Sequence, residues 1–374
     1  MGEEMKISIF VMMFPPKWLG GTEIATFNIA KHLSKRHNVH VFTTLDKGLP
    51  KESFVDGFFV HRVPWPNIRF LGGLVFLINS ARLLKKINPD IIHSQHIEFG
   101  KDIFLLDKLI RKPYVIWARG SDVNFLSINK ISLMLKQTLK NADAVISLTD
   151  DMKKKIEKFY NREIFVIPNG IDLNIFEGLS KEDLRKKLGL IKSEKIILYV
   201  GTLRPIKGLT YLIEAVKNIN EKNKRLLLVG YGKERKHLEN LVKKLKIENI
   251  VTFLGKVPNK DVFEYMVASD VLVLPSLSEG FPNVILEAMA SGLPIIATKV
   301  GEIPKIVNNE VNGFLVDPKN PKQICEMLLL LFRDEKLREK ISDNNRIVAK
   351  KYSWESVINE LEKVYFKITE NNYN

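Results

Sequence analysis

Cysteine is nearly absent: the 374 residues contain one, Cys325. That excludes a disulfide framework and any cysteine cluster for zinc. A lone cysteine in an apolar helical pattern reads as a small buried hydrophobe. Long hydrophobic runs are missing too. The longest, near residues 71–78, is far too short to cross a bilayer. The opening MGEEMKISIFVMMF lacks the basic flank and small-residue cleavage site of a signal peptide, and reads as a first strand. No period of roughly 20 to 50 residues repeats, so solenoids and propellers are excluded. Acidic residues are the scarcer charge, 43 Asp and Glu against 58 Lys and Arg, giving a net +15. Such a surplus suits polyanionic partners. Nucleic acid is not expected among them, because no aromatic-interleaved basic patch, helix-turn-helix unit or zinc-finger spacing is present. The P-loop pattern and the complete G-x-G-x-x-G fingerprint are absent as well.

What is present is a 45% hydrophobic, globular composition long enough for two domains. Short β-branched runs alternate with helical patterns. Strands are expected at 6–11, 39–43, 58–63, 90–94, 114–118 and 144–147. A second set is expected at 195–200, 225–229, 251–254, 271–274 and 294–297. Helices are expected between them, at 22–34, 74–87, 103–110, 131–140 and 151–159, then 210–219, 233–245, 261–267 and 283–290. Strands such as KIILYV and VLVLP are apolar throughout, the mark of parallel sheets covered on both faces. The turn residues Pro168, Asn169 and Gly170 interrupt the rhythm, and a polar helical piece follows. The expected fold is therefore α/β, two doubly wound Rossmann-like domains facing a cleft. The first spans 1–171 and is completed by a returning helix at 354–374; the second spans 172–353.

Several stretches carry candidate chemistry. Gly20 and Gly21 precede a helix whose expected N-cap is Thr22. Free N–H groups at a helix start bind anions, although a plain strand-to-helix turn has the same sequence. Arg204 and Lys207 lie in a strand-to-helix loop ending at Gly208. They suit a diphosphate, or are merely two solvated cations. In SLSEGFPNVILEAMASG, Glu279 lies in a loop and Glu287 inside an apolar helix with no cation within a turn. Helical side chains lean back towards the N-terminus, so both acids can face one site. Carboxylates accept hydrogen bonds only, and vicinal hydroxyls are natural neutral partners. Structural alternatives are a capping box between Glu279 and Ser276 and a distant arginine for Glu287.

The stretch EGFPNVILEAMASGLPIIAT resembles the E-x7-E signature of the retaining GT-B-fold glycosyltransferases. GGTE, PNGID, GTLRPIKG, LVGYGKE, FLGKV and GEIPKIV follow in the family's order over nearly the whole chain. The resemblance implies transfer of a hexose-type sugar from a nucleotide diphosphate sugar to a carbohydrate or lipid-linked acceptor, with retained configuration, no cofactor and typically no metal. It implies that Glu287 holds the ribose hydroxyls. Glu279 would contact the transferred sugar, aided by backbone N–H groups near Phe281, Pro282 and Asn283. Arg204 and Lys207 would clamp the diphosphate, Gly21 would approach it from the first domain, and Lys256 and Val257 would meet the base. Two departures stand out. Thr202 occupies the place where many members carry arginine after the glycine. Arg119, in VIWARGSDV, occupies the place of a histidine near the reacting centre. Arg119 either binds an acidic acceptor or phosphate, or pairs with Asp122; His93 and His96 are nearby candidates at a strand end. The rivals are a phosphorylase or epimerase on the same fold, and a nucleotide-sugar-binding subunit without turnover. The expected location is cytoplasmic. A basic helix with Arg82, Lys85 and Lys86 is the candidate for peripheral contact with anionic membrane, or is a core helix with a solvated basic face.

Overall fold

The computed structural model describes residues 3–18, 20–66, 71–97, 110–120, 122–123 and 133–373. The chain divides into two compact units, Met1–Gly170 with Trp354–Asn374, and Ile171–Ser353. The expected helix at 103–110 lies outside the described residues except for its last position.

The first unit runs β1 (Lys6–Phe10), α1 (Gly21–Leu33), β2 (Asn38–Thr44), β3 (Glu52–Val55), β4 (Phe58–Val63), α2 (Leu71–Ile87), β5 (Ile91–Ser94), β6 (Tyr114–Ala118), α3 (Leu133–Asn141), β7 (Ala144–Ser147), α4 (Asp150–Ile156) and β8 (Ile164–Val166). Its sheet has the order β3-β4-β2-β1-β5-β6-β7-β8. Every pair is parallel except β3 with β4. Every residue of β5, β6 and β7 is buried, as a strand covered on both faces requires. From β1 the chain winds first towards β2 and then returns to lay β5 on the other side. The reversal leaves a topological switch point between the carboxyl ends of β1 and β5.

The second unit runs α5 (Lys181–Lys187), β9 (Lys195–Val200), α6 (Leu209–Lys217), β10 (Lys224–Val229), α7 (Arg235–Leu245), β11 (Val251–Gly255), α8 (Asn259–Ala268), β12 (Val271–Leu274), α9 (Asn283–Ser291), β13 (Ile295–Thr298), α10 (Ile303–Ile306), β14 (Phe314–Val316), α11 (Pro321–Arg333) and α12 (Glu335–Lys350). Its sheet is wholly parallel, in the order β11-β10-β9-β12-β13-β14. Here the switch point lies between β9 and β12. Local signals start the helices: Ser180 accepts from the Asp183 N–H at α5, and Asn320 from the Gln323 N–H, with Pro321 opening α11.

The last helix, α13 (Trp354–Tyr373), belongs to the first unit and packs against α1. Trp354, Val357, Ile358, Leu361, Val364, Tyr365 and Ile368 are buried. Glu362 accepts from Arg36 at 2.9 Å and lies 3.1 Å from His37. A Cβ at Gly170 would lie 2.5 Å from the Trp354 ring, so glycine is required where the chain passes this anchor.

Candidate active site

In the second unit the loops after β9 and β12 meet at the switch point. The first carries Arg204, one 3-10 turn at Pro205–Lys207, and Gly208. Gly208 has φ 64, and a Cβ there would lie 2.1 Å from the Pro275 carbonyl oxygen. Only glycine permits both the left-handed conformation and that approach. The Leu277 N–H donates to the Ile206 carbonyl at 2.7 Å and ties the loops together. The side chains join them a second time. Lys207 Nζ donates to Glu279 Oε1 at 2.6 Å, and Ser276 Oγ donates to the same oxygen at 2.6 Å. Both contacts fall on Oε1, so Oε2 accepts neither. A Cβ at Gly301, after β13, would lie 2.0 Å from the Glu279 carbonyl oxygen, so a third loop backs this one. Arg204 is exposed, and no described residue pairs with its guanidinium.

Of these two contacts of Glu279, only the one with Ser276 was expected. Ser276 does reach it, but Ser276 is not an N-cap, because α9 begins seven residues later at Asn283. Pro282 occupies the cap position of α9. On α9, Ile285, Leu286, Ala288, Met289 and Ala290 are buried, while Asn283, Glu287 and Ser291 form a partly exposed stripe at i, i+4, i+8. Glu287 has no hydrogen bond or ion pair from any described residue, so the distant arginine considered for it does not appear. Burial pushes its carboxyl up from the usual range to about 7.

The remaining expected residues of this unit lie on the same carboxyl edge. Phe281 is partly buried and Pro282 buried. Lys256 is exposed and Val257 partly so, just beyond β11. A Cβ at Gly230 would lie 1.8 Å from the Gly201 carbonyl oxygen, so β9 and β10 end backbone against backbone. Tyr231 is 60% exposed, with Lys256 Nζ 5.9 Å from its ring centroid. Sequence reasoning used the glycines of this stretch and missed the exposed aromatic between them.

In the first unit α1 starts at Gly21, with Gly20 at the cap and no side-chain cap; Thr22 lies inside the first turn instead of capping it. A Cβ at Gly21 would meet nothing within 4 Å, so internal packing does not demand glycine there.

Arg119 is buried. Its Nε donates to Gln95 Oε1 at 2.6 Å, Nη2 donates to the same oxygen, and Nη1 donates to Asn169 Oδ1 at 2.8 Å. The guanidinium lies 4.1 Å from the Trp117 ring centroid. The expected pairing with Asp122 takes another form, since Asp122 accepts the Arg119 backbone N–H at 3.0 Å. Burial lowers the Arg119 pKa to about 9, with Asp122 and Tyr365 opposing. Gln95 also contacts His93 Nε2 at 3.2 Å, and His93 Nδ1 meets the Tyr365 hydroxyl of α13. Burial, and then Arg119, lowers the His93 pKa to about 3, so this histidine stays neutral. Tyr365, His93, Gln95, Arg119 and Asn169 form one buried polar chain. Apart from His93 and Gln95, its members lie too far apart in sequence for a local motif to reveal it.

Two doubly wound Rossmann-like units are the architecture of the GT-B fold. The comparisons make the class specific. The model for "Glycosyl transferases group 1" matches residues 180–348, and that for "Glycosyltransferase Family 4" matches residues 19–175. An uncharacterised glycosyltransferase of Methanocaldococcus jannaschii is 31% identical over 96% of this chain and 98% of its own. The N-acetyl-alpha-D-glucosaminyl L-malate synthase of Bacillus anthracis is 27% identical, covering 99% of both chains. In fold, sucrose-phosphate synthase of Thermosynechococcus elongatus superposes with a TM-score of 0.84 at 23% identity, over 98% of this chain and 100% of that one. HepE of Anabaena, solved with UDP, gives 0.79 at 22% identity, over 97% and 100%. The chain belongs to the group 1 glycosyltransferases.

Proposed function

We propose that this enzyme moves a hexose-type sugar from a nucleotide diphosphate sugar to a hydroxyl of a carbohydrate or lipid-linked acceptor, with retention at the anomeric carbon. The observation that carries the reading is the Lys207–Glu279 contact across the β9/β12 switch point. It sets a cation and a hydroxyl acceptor side by side where doubly wound sheets bind ligands. Lys207 and Arg204 hold the diphosphate and offset its charge as the bond from the anomeric carbon breaks. Glu279 Oε2 accepts from hydroxyls of the transferring sugar, with the N–H groups around Phe281 and Asn283 beside it. Glu287 takes the ribose hydroxyls, which gives an otherwise unpartnered acid its partners. Lys256 and Val257 lie at the base, and Gly21 lets a phosphate oxygen approach the start of α1. The new bond forms from the acceptor oxygen on the face that the diphosphate leaves. The acceptor's proton departs with the diphosphate or to water.

The experiment is a thermal-shift screen against UDP-, GDP- and ADP-sugars, followed by measurement of nucleoside diphosphate release with an acceptor panel. L-malate belongs on that panel because one relative is named for it. Nucleoside diphosphate formation supports transfer. Sugar phosphate formed from free phosphate would instead indicate a phosphorylase, and binding without turnover a binding subunit.

A further inference from the structure

The second unit has a further polar cavity, at the edge of its sheet opposite the candidate active site. Its volume is about 600 Å³, within the range of small-molecule sites. Among its lining residues, Lys195 opens β9, and Asp270 and Pro294 stand directly before β12 and β13, so it lies at the amino ends of these strands. Lys207 and Glu279 follow the carboxyl ends. β9 is six residues long, so roughly 15–20 Å of strand separates the two places. The chemistry of glycosyl transfer makes no use of this cavity.

Its floor is an ion cluster. Asp270 accepts from Lys181 Nζ and Arg185 Nη2, at 2.7 Å each, so one carboxylate faces two cations. All three Arg185 nitrogens are engaged, Nε by the Ala268 carbonyl and Nη1 by the Lys192 carbonyl. Other lining cations are less committed. Lys195 is partly buried, and its Nζ donates to no described residue. Arg338, on α12, gives Nη1 to the Leu331 and Phe332 carbonyls at the end of α11. Its Nε and Nη2 form the side-on fork that grips phosphates and carboxylates in two parallel bonds. That fork donates to no described residue, and Glu335 Oε1 stands 3.7 Å from Nη2, beyond hydrogen-bond range. Arg346 lies over Gly292, which ends α9 at φ 75; a Cβ there would fall 2.7 Å from the guanidinium carbon, so glycine makes room for it.

Charge is sorted by depth. The Arg185 and Arg338 side chains are 9% and 13% exposed, whereas those of Glu182 and Glu335 are 71% and 79% exposed. Glu339 is exposed as well. Of the inner acids, Asp270 is shared by two cations, and Glu194 accepts from Arg225, which lies outside the cavity. The interior is therefore positive and the mouth carries acceptors.

We propose that this cavity is a second ligand site, for a phosphate monoester of a sugar-sized polyol. The Arg338 fork takes two phosphate oxygens, and Lys195, Lys181 and Arg346 supply the remaining positive charge. A phosphate has close to two charges and three terminal oxygens, which suits cations drawn from α5, β9 and α12 better than a carboxylate does. The volume exceeds that of a phosphate ion. Glu182 and Glu339 at the mouth can accept from hydroxyls of the polyol.

The test is calorimetry on the full chain. The probes are inorganic phosphate, glycerol 3-phosphate, glucose 6-phosphate and unphosphorylated glucose, each with and without a saturating nucleoside diphosphate. Calorimetry is preferred to melting because phosphate stabilises proteins merely by exclusion from their surface. An ester should bind whether or not the nucleotide is present and more tightly than inorganic phosphate, and glucose should not bind. Lys195→Met removes a cation without a protein partner and should melt with the wild type. Arg338→Lys keeps the charge and loses the fork. Each should weaken the ester about tenfold. Because Arg338 also holds the end of α11, Lys195→Met keeps the test decisive if Arg338→Lys folds poorly. Ester binding abolished by the nucleotide would put the anion in the donor site and overturn the assignment. Esters that bind no tighter than inorganic phosphate, or an affinity unchanged in Lys195→Met, would overturn it too. Each of these results would leave glycosyl transfer standing.

Discussion

Glu287→Gln tests the donor site through a proton. With no partner among the described residues, Glu287 has its carboxyl raised from 4.5 to about 7 by burial. A raised acid keeps its proton in the folded state while the unfolded chain has lost it, so stability falls as pH rises from about 4.5 to about 7 and is flat above. At about 1.4 kcal/mol per pH unit the cost at pH 8 is about 3 kcal/mol. This is an upper limit, because the side chain is partly exposed to water. Hydroxyls donating to the carboxylate favour its ionised form, so binding must expel the proton. Calorimetry, in two buffers of different ionisation enthalpy, of binding of the nucleoside diphosphate that the thermal-shift screen selects counts it. Release should be about three-quarters of a proton at pH 6.5 and about a tenth at pH 8, if binding lowers the pKa far below 6.5. Glu287→Gln should abolish the release, weaken nucleoside diphosphate binding about tenfold or more, and flatten the stability curve between pH 5 and 7. It should also raise ligand-free stability at pH 8 by about 1–2 kcal/mol, the removed charge being partly offset by a poorly satisfied amide. Unchanged proton release and nucleoside diphosphate affinity in Glu287→Gln would refute both the ribose assignment and the account of the raised pKa.

Lys207→Met removes the cation beside Glu279 and the charge offered to the leaving diphosphate, so kcat should fall about a hundredfold in the release assay; Arg204→Ala, at an exposed side chain, should lower kcat less and also raise KM. Asp270→Ala should cost about 3 kcal/mol in urea unfolding followed by tryptophan fluorescence and circular dichroism. Asp270 is buried, accepts from Lys181 and Arg185 at 2.7 Å each and also takes the Ile196 N–H, so truncation leaves a buried cation uncompensated. On α2, Leu74 and Ile78 are exposed at 51% and 42% along the face that also carries exposed Arg82, Lys85 and Lys86. That combination predicts sedimentation with anionic liposomes that collapses as salt is raised. Salt-insensitive or absent sedimentation would leave these residues as an ordinary solvated face.

Much of the fold is legible in the sequence because parallel strands buried on both faces are largely apolar, and β6, β7, β9 and β12 coincide with the residues expected, as does the less apolar β4. The strands not expected, β3, β8 and β14, have three or four residues, and β3 and β8 lie at sheet edges with partly exposed side chains. Short edge strands bury too little to leave a periodic signal. At the candidate site, Glu279, Arg204 and Lys207, on two loops, and Glu287, inside α9, could be picked out from residue type and spacing. The Lys207–Glu279 contact could not, since 72 residues separate the partners. Arg119 shows the limit most clearly. Its near neighbour Asp122 was the natural partner in sequence, but four backbone N–H groups occupy that carboxylate. The guanidinium is satisfied instead by Gln95 and by Asn169, 24 and 50 residues away. His93 and His96 part only in the structure: His93 is fully buried, whereas His96 is partly exposed, with Nδ1 3.7 Å from Asp122 Oδ2.

The most direct test of the account follows one reaction by phosphorus and proton NMR, with the purified enzyme, the nucleotide sugar chosen by the thermal-shift screen and the acceptor panel. The account predicts nucleoside diphosphate appearing in step with a glycoside whose anomeric coupling matches that of the donor. A sugar 1-phosphate product, an inverted anomeric centre, or no turnover of any donor that binds would contradict it.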